Sequence, residues 1–155
     1  MAGSIVVTQS EVAVGTSAVV GLIERPGISA IISTSIVWTS DAAGAVSGNT
    51  VSMPSGTIVT VNFTPGAGGL APTNLYDVTF TNAGGTNLFD DGTGASIGAN
   101  LSDTVATLKV PFISGAPSST FVRAWLTGGL YTPVVAAAGD SNSGTIEIFQ
   151  ILDVR

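Results

Sequence analysis

Apolar and polar side chains alternate along several short stretches of the chain, which is the period of a β-strand with one buried face. The clearest stretch is Leu75–Thr81, where Tyr76, Val78 and Phe80 alternate with polar residues. We expect these three side chains to be buried and the polar ones to face solvent. This alternation predicts an antiparallel strand at the surface of a packed core.

The same period predicts further strands elsewhere. They are expected at 28–40, 57–63, 103–113, 121–126, 134–138 and 145–154. Along 28–40, the alternation groups Ile32, Thr34, Ile36 and Trp38 on one face.

The alternation also assigns faces to the apolar residues of two further strands. In the strand at 57–63, Val61 and Phe63 are expected on one face, together with Val59, and Ile58 on the opposite face. In the strand at 103–113, the residues expected to share one face are Leu108, Val110 and Phe112.

Turn-forming residues separate the strands. In the turn at 39–44, Asp41 is suited to accepting local backbone N–H bonds, and Gly44 can adopt a positive φ. A second turn is predicted at 140–144, before the last strand. The stretch 82–100 is a long glycine-rich connection, and connections of that length are often functional.

These elements predict an all-β protein. About eight short strands with few helix-forming residues favour an antiparallel β-sandwich of the jelly-roll-like kind, with an extended N-terminal arm. We expect residues 1–27 to form that arm or a set of edge strands, and residues 28–155 to form a single β-sandwich domain.

The composition excludes several classes of function. Only 9% of the 155 residues are charged, the net charge is −6, and the chain contains neither cysteine nor histidine. Thiolate and imidazole catalysis, disulfides and zinc sites of the His/Cys type are therefore excluded. Four cations cannot form a basic patch, so we expect neither nucleic acid nor a membrane surface as a partner. No window of about 20 residues is continuously apolar.

A surface with so few charges is typical of a protein that is covered by other copies or by a partner. We therefore expect a homo-oligomer, a trimer or a dimer, held by an apolar face that a small sandwich leaves unburied.

Candidate chemistry is sparse. Asp90 and Asp91 are adjacent and followed by glycine, which is ordinary turn chemistry and lacks the spacing of a calcium loop. The glycine-rich loops at 66–69 and 92–94 precede no predicted helix, so we do not expect them to bind phosphate. Lys109 and Arg123 are the cations that could hold an anion, but both lie in predicted strands. We expect no metal, no cofactor and no enzymatic activity.

The aromatic residues leave one alternative open. Trp38, Trp125, Tyr76, Phe80 and Phe112 could line a sugar-binding platform, but each lies at strand period among apolar neighbours. Core packing is the commoner role for such residues. Burial of the two tryptophans would count against a carbohydrate-binding sandwich used for host attachment.

Several short segments, taken in order, carry a resemblance. They are Trp38–Val46, Tyr76–Thr81, Gly98–Ser102 and Ser143–Ile148. In this order they resemble a family of small β-rich structural proteins of tailed bacteriophages, over most of the chain from about Ile28 onward. The resemblance implies a virion structural protein.

Within the virion, a capsid decoration (cement) protein suits the composition best. Such a protein would bind the major capsid protein on the capsid exterior and stabilise the shell by bridging capsomers. A head–tail connector, or a tail or fibre-base component, is the alternative within the virion.

Overall fold

The strands of the chain account for most of its described residues. The computed structural model describes residues 2–15, 29–90, 95–109 and 124–152. Within these ranges the strands are β1 (Ser4–Gly15), β2 (Ser29–Thr39), β3 (Val51–Met53), β4 (Gly56–Pro65), β5 (Asp77–Asn82), β6 (Thr107–Lys109), β7 (Ala124–Leu126), β8 (Gly129–Ala136) and β9 (Ser143–Leu152). The one helical element among them is a single 3₁₀ turn at Gly68–Leu70. No helix in this part of the chain is long and apolar enough to cross a membrane.

The strands form two antiparallel sheets, so the predicted all-β sandwich is confirmed. The larger sheet has the order β1-β2-β9-β4-β6, and the smaller sheet has the order β3-β8-β5. The short strand β7 also pairs with β4, against Gly56–Ile58, whereas β6 pairs with Val61–Phe63. Since β9 occupies the other edge of β4, β6 and β7 lie one after the other along the same edge.

The chain winds between the two sheets. From β2 onward it passes to the smaller sheet at β3, returns at β4, crosses again at β5, and returns at β6 and β7 before β8 and β9 repeat the exchange. This alternation is the jelly-roll-like winding expected from the strand count. It places β9 between β2 and β4, in the interior of the larger sheet.

The core lies between the sheets and is aromatic at its centre. Tyr76, Val78 and Phe80 are each at most 1% exposed, which confirms the faces predicted for this stretch. The Phe80 ring stacks on Phe89 at 5.7 Å and on Tyr131 at 5.1 Å between ring centroids. Aromatic rings in contact at these distances add to the free energy gained from burying them.

The face predicted for Ile58 is wrong, because β4 contains a β-bulge. The register against β9 shifts between Ile58 and Thr60, so Ile58 lies opposite Gln150 while Val61 lies opposite Ile148. Gln150 and Ile148 are both buried on the same face of β9. The extra residue in β4 therefore brings Ile58 to the core side, together with Val61.

Leu108 lies on the outer face of the larger sheet. Leu108 is 63% exposed, and it lies directly opposite Asn62 in the pairing of β6 with β4. Asn62 stands between the buried Val61 and Phe63, so its side chain and that of Leu108 point away from the core. Val110 and Phe112, which were predicted to share that face, lie outside the described residues.

The described residues of the glycine-rich connection at 82–100 pack against the core. The side-chain oxygen of Asn87 accepts hydrogen bonds from the backbone N–H groups of Phe80 and Phe89, at 3.0 and 3.2 Å. The N–H of Ile97 then donates to the carbonyl of Phe89 at 2.8 Å. Phe89 and Ile97 are buried, so the connection folds back over β5 and closes the core.

The turn after β2 has the predicted chemistry. Asp41 Oδ1 accepts the N–H groups of Ala43 and Ala45, each at 2.9 Å, and Gly44 has a φ of +78°.

The described part of the N-terminal segment is a paired strand, because β1 lies along β2 as the edge strand of the larger sheet. The boundary predicted between residues 27 and 28 lies outside the described residues.

Candidate functional site

The acidic side chains are dispersed, and several make local bonds. Asp77 Oδ1 accepts the backbone N–H of Asn100 at 2.8 Å, and Asp140 Oδ1 accepts the hydroxyl of Ser141 at 2.8 Å. Among the described residues, no group of three or more acidic side chains is placed to hold a metal ion. The carboxylates of Asp77 and Asp140 therefore stabilise a strand end and a turn.

Of the residues considered for cation or anion binding, the structure describes Asp90 and the backbone of Lys109. Asp90 forms an isolated β-bridge with Ser96, and its N–H donates to the carbonyl of Asn87 at 3.3 Å. Asp91 and Arg123 lie outside the described residues. Lys109 is the last residue of β6, opposite Val61, and its side chain is not among those described.

The glycine-rich loop at 66–69 is a tight backbone connection. The N–H of Gly66 donates to the carbonyl of Ser143 at 2.8 Å, and a Cβ at Gly66 would collide with Ser143. The 3₁₀ turn that follows ends at Leu70, so the loop does not lead into a longer helix. The second glycine loop, at 92–94, lies outside the described residues.

Three of the five aromatic residues considered for a sugar platform are core residues. Trp38, Tyr76 and Phe80 are each at most 1% exposed, and the Trp38 and Tyr76 rings are in contact at 5.6 Å. Phe112 and the side chain of Trp125 lie outside the described part of the chain. A platform for carbohydrate therefore cannot use the three described rings.

Two surface depressions are formed by described residues, and both are small. One of about 200 Å³ lies beside Asn82 and Tyr131, and one of about 140 Å³ lies between Ser4, Asp41 and Asp140. Sites for small molecules usually measure about 300–1,000 Å³. Neither depression has the size of a typical ligand pocket.

The core tyrosines have altered acidity because they are buried. Burial raises the pKa of Tyr76 from 10.0 to about 12 and also raises the pKa of Tyr131. The neutral phenol is the form that the core accommodates, since a phenolate would lose its hydration there. These pKa shifts follow from the burial of the two side chains and are not evidence of a catalytic acid or base.

We expect Tyr76→Phe to make the protein less sensitive to alkali. The pKa of Tyr76 is higher in the folded chain than in the unfolded chain, so its contribution to stability is complete below about pH 10. That contribution is lost as the pH rises from about 10 to about 12. Urea unfolding at a series of pH values checks this. An equally steep loss of stability in the variant and the parent protein would contradict it.

The most exposed regular element is the edge strand β1. No described strand pairs with its outer edge, so one row of its backbone N–H and C=O groups faces outward. Val6 is 65% exposed and Val7 is 38% exposed, although their side chains point to opposite faces of the sheet. The strand is thus open at its edge and on both faces around these two valines.

The inner side of β1 is open because the smaller sheet is narrower than the larger one. Val7 lies opposite the buried Ile36 and therefore points to the inner face, where it remains partly exposed. Gln9, on the same face, reaches the smaller sheet and donates a hydrogen bond from Nε2 to the carbonyl of Ser52 at 2.9 Å. This bond ties β1 to β3 and holds the strand in place.

Sequence reasoning did not single out this edge as a site. The segment was recognised as an arm or an edge strand, but exposure on both faces depends on the width of the opposite sheet. The signal in the sequence is the absence of lysine, arginine and proline from Ser4–Gly15, since these residues commonly protect a sheet edge. Glu11 is the only charged residue in the strand.

Comparison of the chain with protein-family models, with curated proteins and with solved structures found no match.

Proposed function

We propose that this chain is a structural protein of a bacteriophage virion, a decoration protein that binds the outside of the capsid. Its partner would be the major capsid protein, and it would stabilise the shell by bridging neighbouring capsomers. The observation that carries the proposal is the open edge of β1, beside which the two described surface depressions are both smaller than a typical ligand pocket. The function is adhesion between folded protein surfaces, without catalysis.

An open sheet edge binds proteins by a simple mechanism. An extended segment of the partner adds to the edge as one more strand, and main-chain hydrogen bonds provide the affinity. Exposed side chains beside the edge, such as Val6 and Val7, contribute apolar contacts. Each contact is weak, but a capsid repeats the binding site many times, so linked copies bind far more tightly than a single one.

The composition supports the same proposal. A surface with few charges favours contact with other proteins over contact with the genome, and the net charge of −6 disfavours phosphate binding. Jelly-roll sandwiches occur in viral capsid proteins and in lectins, and a fold alone does not choose between them. Burial of Trp38, Tyr76 and Phe80 weighs against the lectin.

The copy number in purified virus particles tests the proposal. We expect quantitative mass spectrometry to find hundreds of copies per particle, because a decoration protein follows the symmetry of the whole shell. The major capsid protein in the same sample serves as the internal standard. About a dozen to a few dozen copies would instead indicate a connector or a tail component. Absence from the particles would overturn the virion assignment.

A further inference from the structure

We infer that β1 pairs antiparallel with β1 of a second copy of this chain, about a two-fold axis that passes midway between the two Val7 residues. The paired segment is Ser4–Ser10. This inference goes beyond the proposed virion role and does not depend on it, because it concerns the isolated protein. A second copy and a capsid segment would use the same edge of β1, so each of them would exclude the other.

The limits of the segment follow from the structure of β1. Pairing with β2 keeps one register from Ser4 to Glu11, and the register shifts between Glu11 and Ala13. A bulge of this kind twists an edge strand and ends its regular pairing. Glu11 adds a charge at the same place. The regular, uncharged part therefore has Val7 at its centre.

In an antiparallel pair centred on Val7, each residue of Ser4–Ser10 lies opposite a residue of similar type in the second copy, with one exception. Ser4 lies opposite Ser10, Val6 lies opposite Thr8, and Val7 lies opposite its own copy. Valine and threonine have almost the same shape, so the outer face is closely matched. The remaining pair is Ile5 with Gln9, on the inner face.

The geometry of a two-fold axis perpendicular to the sheet fits these pairs. Such an axis keeps the inner face of one sheet next to the inner face of the other, so residues that face each other come from the same face. Ile5, Val7 and Gln9 share the inner face because they lie opposite Trp38, Ile36 and Thr34 of β2. Each copy thus brings its partly exposed Val7 against the Val7 of the other.

A second copy is the occupant that this edge fits best. The similarity between the two halves of Ser4–Ser10 places like residues opposite each other only when the segment pairs with a copy of itself. Binding of an unrelated strand would not require that similarity. The chain carries a net charge of −6, so two copies repel each other overall, but Ser4–Ser10 contains no charge to add to that repulsion. The pairing joins two larger sheets into one continuous sheet.

The pairing is expected to be reversible. It adds one short strand pair, one contact between the two Val7 side chains and two contacts between Val6 and Thr8. These bury less surface than a standard stable interface of about 1,600 Å². We therefore expect a monomer at low micromolar concentration and a dimer at several hundred micromolar.

Sedimentation velocity over that concentration range tests the inference with two matched lysine variants. Val7→Lys places two like charges against each other at the axis, and we expect it to shift the dimerisation constant by tenfold or more. Val37→Lys is the control, because Val37 is also exposed on the larger sheet but lies on β2, away from the edge. It should dimerise like the parent protein. Circular dichroism is the check that both variants are folded.

Cysteine variants test the register. The chain contains no cysteine, so a single substitution reports on one position only. Opposed residues of an antiparallel pair have Cα atoms about 4.5–5.5 Å apart, within the range of a disulfide. Val7→Cys should form a covalent dimer upon oxidation with glutathione disulfide. Ser10→Cys, which is exposed on the opposite face and lies six residues from its copy along the paired strands, should not.

Three results would overturn the inference. They are a parent protein that stays monomeric at every concentration, a dimer that Val37→Lys disrupts and Val7→Lys does not, and equal disulfide formation at both cysteine positions. If both lysine variants prevent dimerisation, the cysteine pair decides. The virion role is tested on particles and not on the isolated chain, so either proposal can fail while the other holds.

Discussion

Phe89→Ala is expected to lower the free energy of unfolding by about 3–5 kcal/mol, which is the usual cost of removing a fully buried phenylalanine ring. Phe89 has no exposed surface, stacks on Phe80 and meets the ring of Phe63 edge-on at 5.4 Å. The residue belongs to a glycine-rich connection, where a surface position would be the ordinary expectation. A loss of this size therefore tests whether the connection completes the core.

Phe149→Ala is the matched control for this prediction. Phe149 lies on β9 and is only partly buried, opposite Ser33 of β2 and Thr60 of β4. The same truncation should cost less than half as much there, since less apolar surface leaves water when the chain folds. Urea unfolding with an unchanged m-value provides both numbers. Equal losses in the two variants would show that Phe89 is not a core residue.

Gly98→Ala is expected to lower the free energy of unfolding by about 3 kcal/mol, at the upper end of the costs of overpacking. A Cβ at this position would collide with the carbonyl of Val78, which is backbone and cannot rotate away. The two backbones are held together by the hydrogen bond from the Val78 N–H to the Gly98 carbonyl, at 2.7 Å. Relieving the collision therefore means breaking that bond.

Gly69→Ala makes the same chemical change at a position with room for it. No atom lies within 4 Å of a Cβ built on Gly69, and its φ is not in the left-handed region. We expect the free energy of unfolding to change by no more than about 0.5 kcal/mol. Thermal and urea unfolding of the two variants side by side is the measurement. A Gly98→Ala protein as stable as Gly69→Ala would contradict the close approach of the two backbones.

The strands could be predicted from the sequence because period-two alternation is a local property. In the stretch 75–81, one face is buried and the other is partly exposed to solvent, and the alternation predicted which residues lie on each. The turn at Asp41 is equally local, since its carboxylate bonds to N–H groups two and four residues away. Fold class follows from such elements without knowledge of their partners.

Features that depend on the partner strand could not be predicted in this way. The bulge that brings Ile58 to the core is a difference in residue count between β4 and β9, and no alternation within β4 reveals it. The exposure of Val7 depends on the width of the opposite sheet. The candidate docking edge therefore became visible only once both sheets were in place.

Contacts in the structure link the four segments from which the sequence predicts a resemblance to phage structural proteins. Tyr76 forms a β-bridge with Leu101, and Asp77 accepts the N–H of Asn100. Trp38 packs so closely on Gly144 that a Cβ there would meet its ring at 2.5 Å. Each of these segments thus contains at least one residue that the fold itself requires, independently of any function.

The position of β9 bears on how the chain folds as it is synthesised. β9 joins β2 to β4 in the larger sheet, yet it is the last of the described strands to leave the ribosome. Until then β1 and β2 can form only an isolated pair, because their connection to the rest of that sheet is missing. Contacts between such distant parts of a chain form slowly. Folding of the larger sheet must therefore wait until nearly all of the described chain has emerged, and nascent chains with exposed strand edges will be present in the meantime.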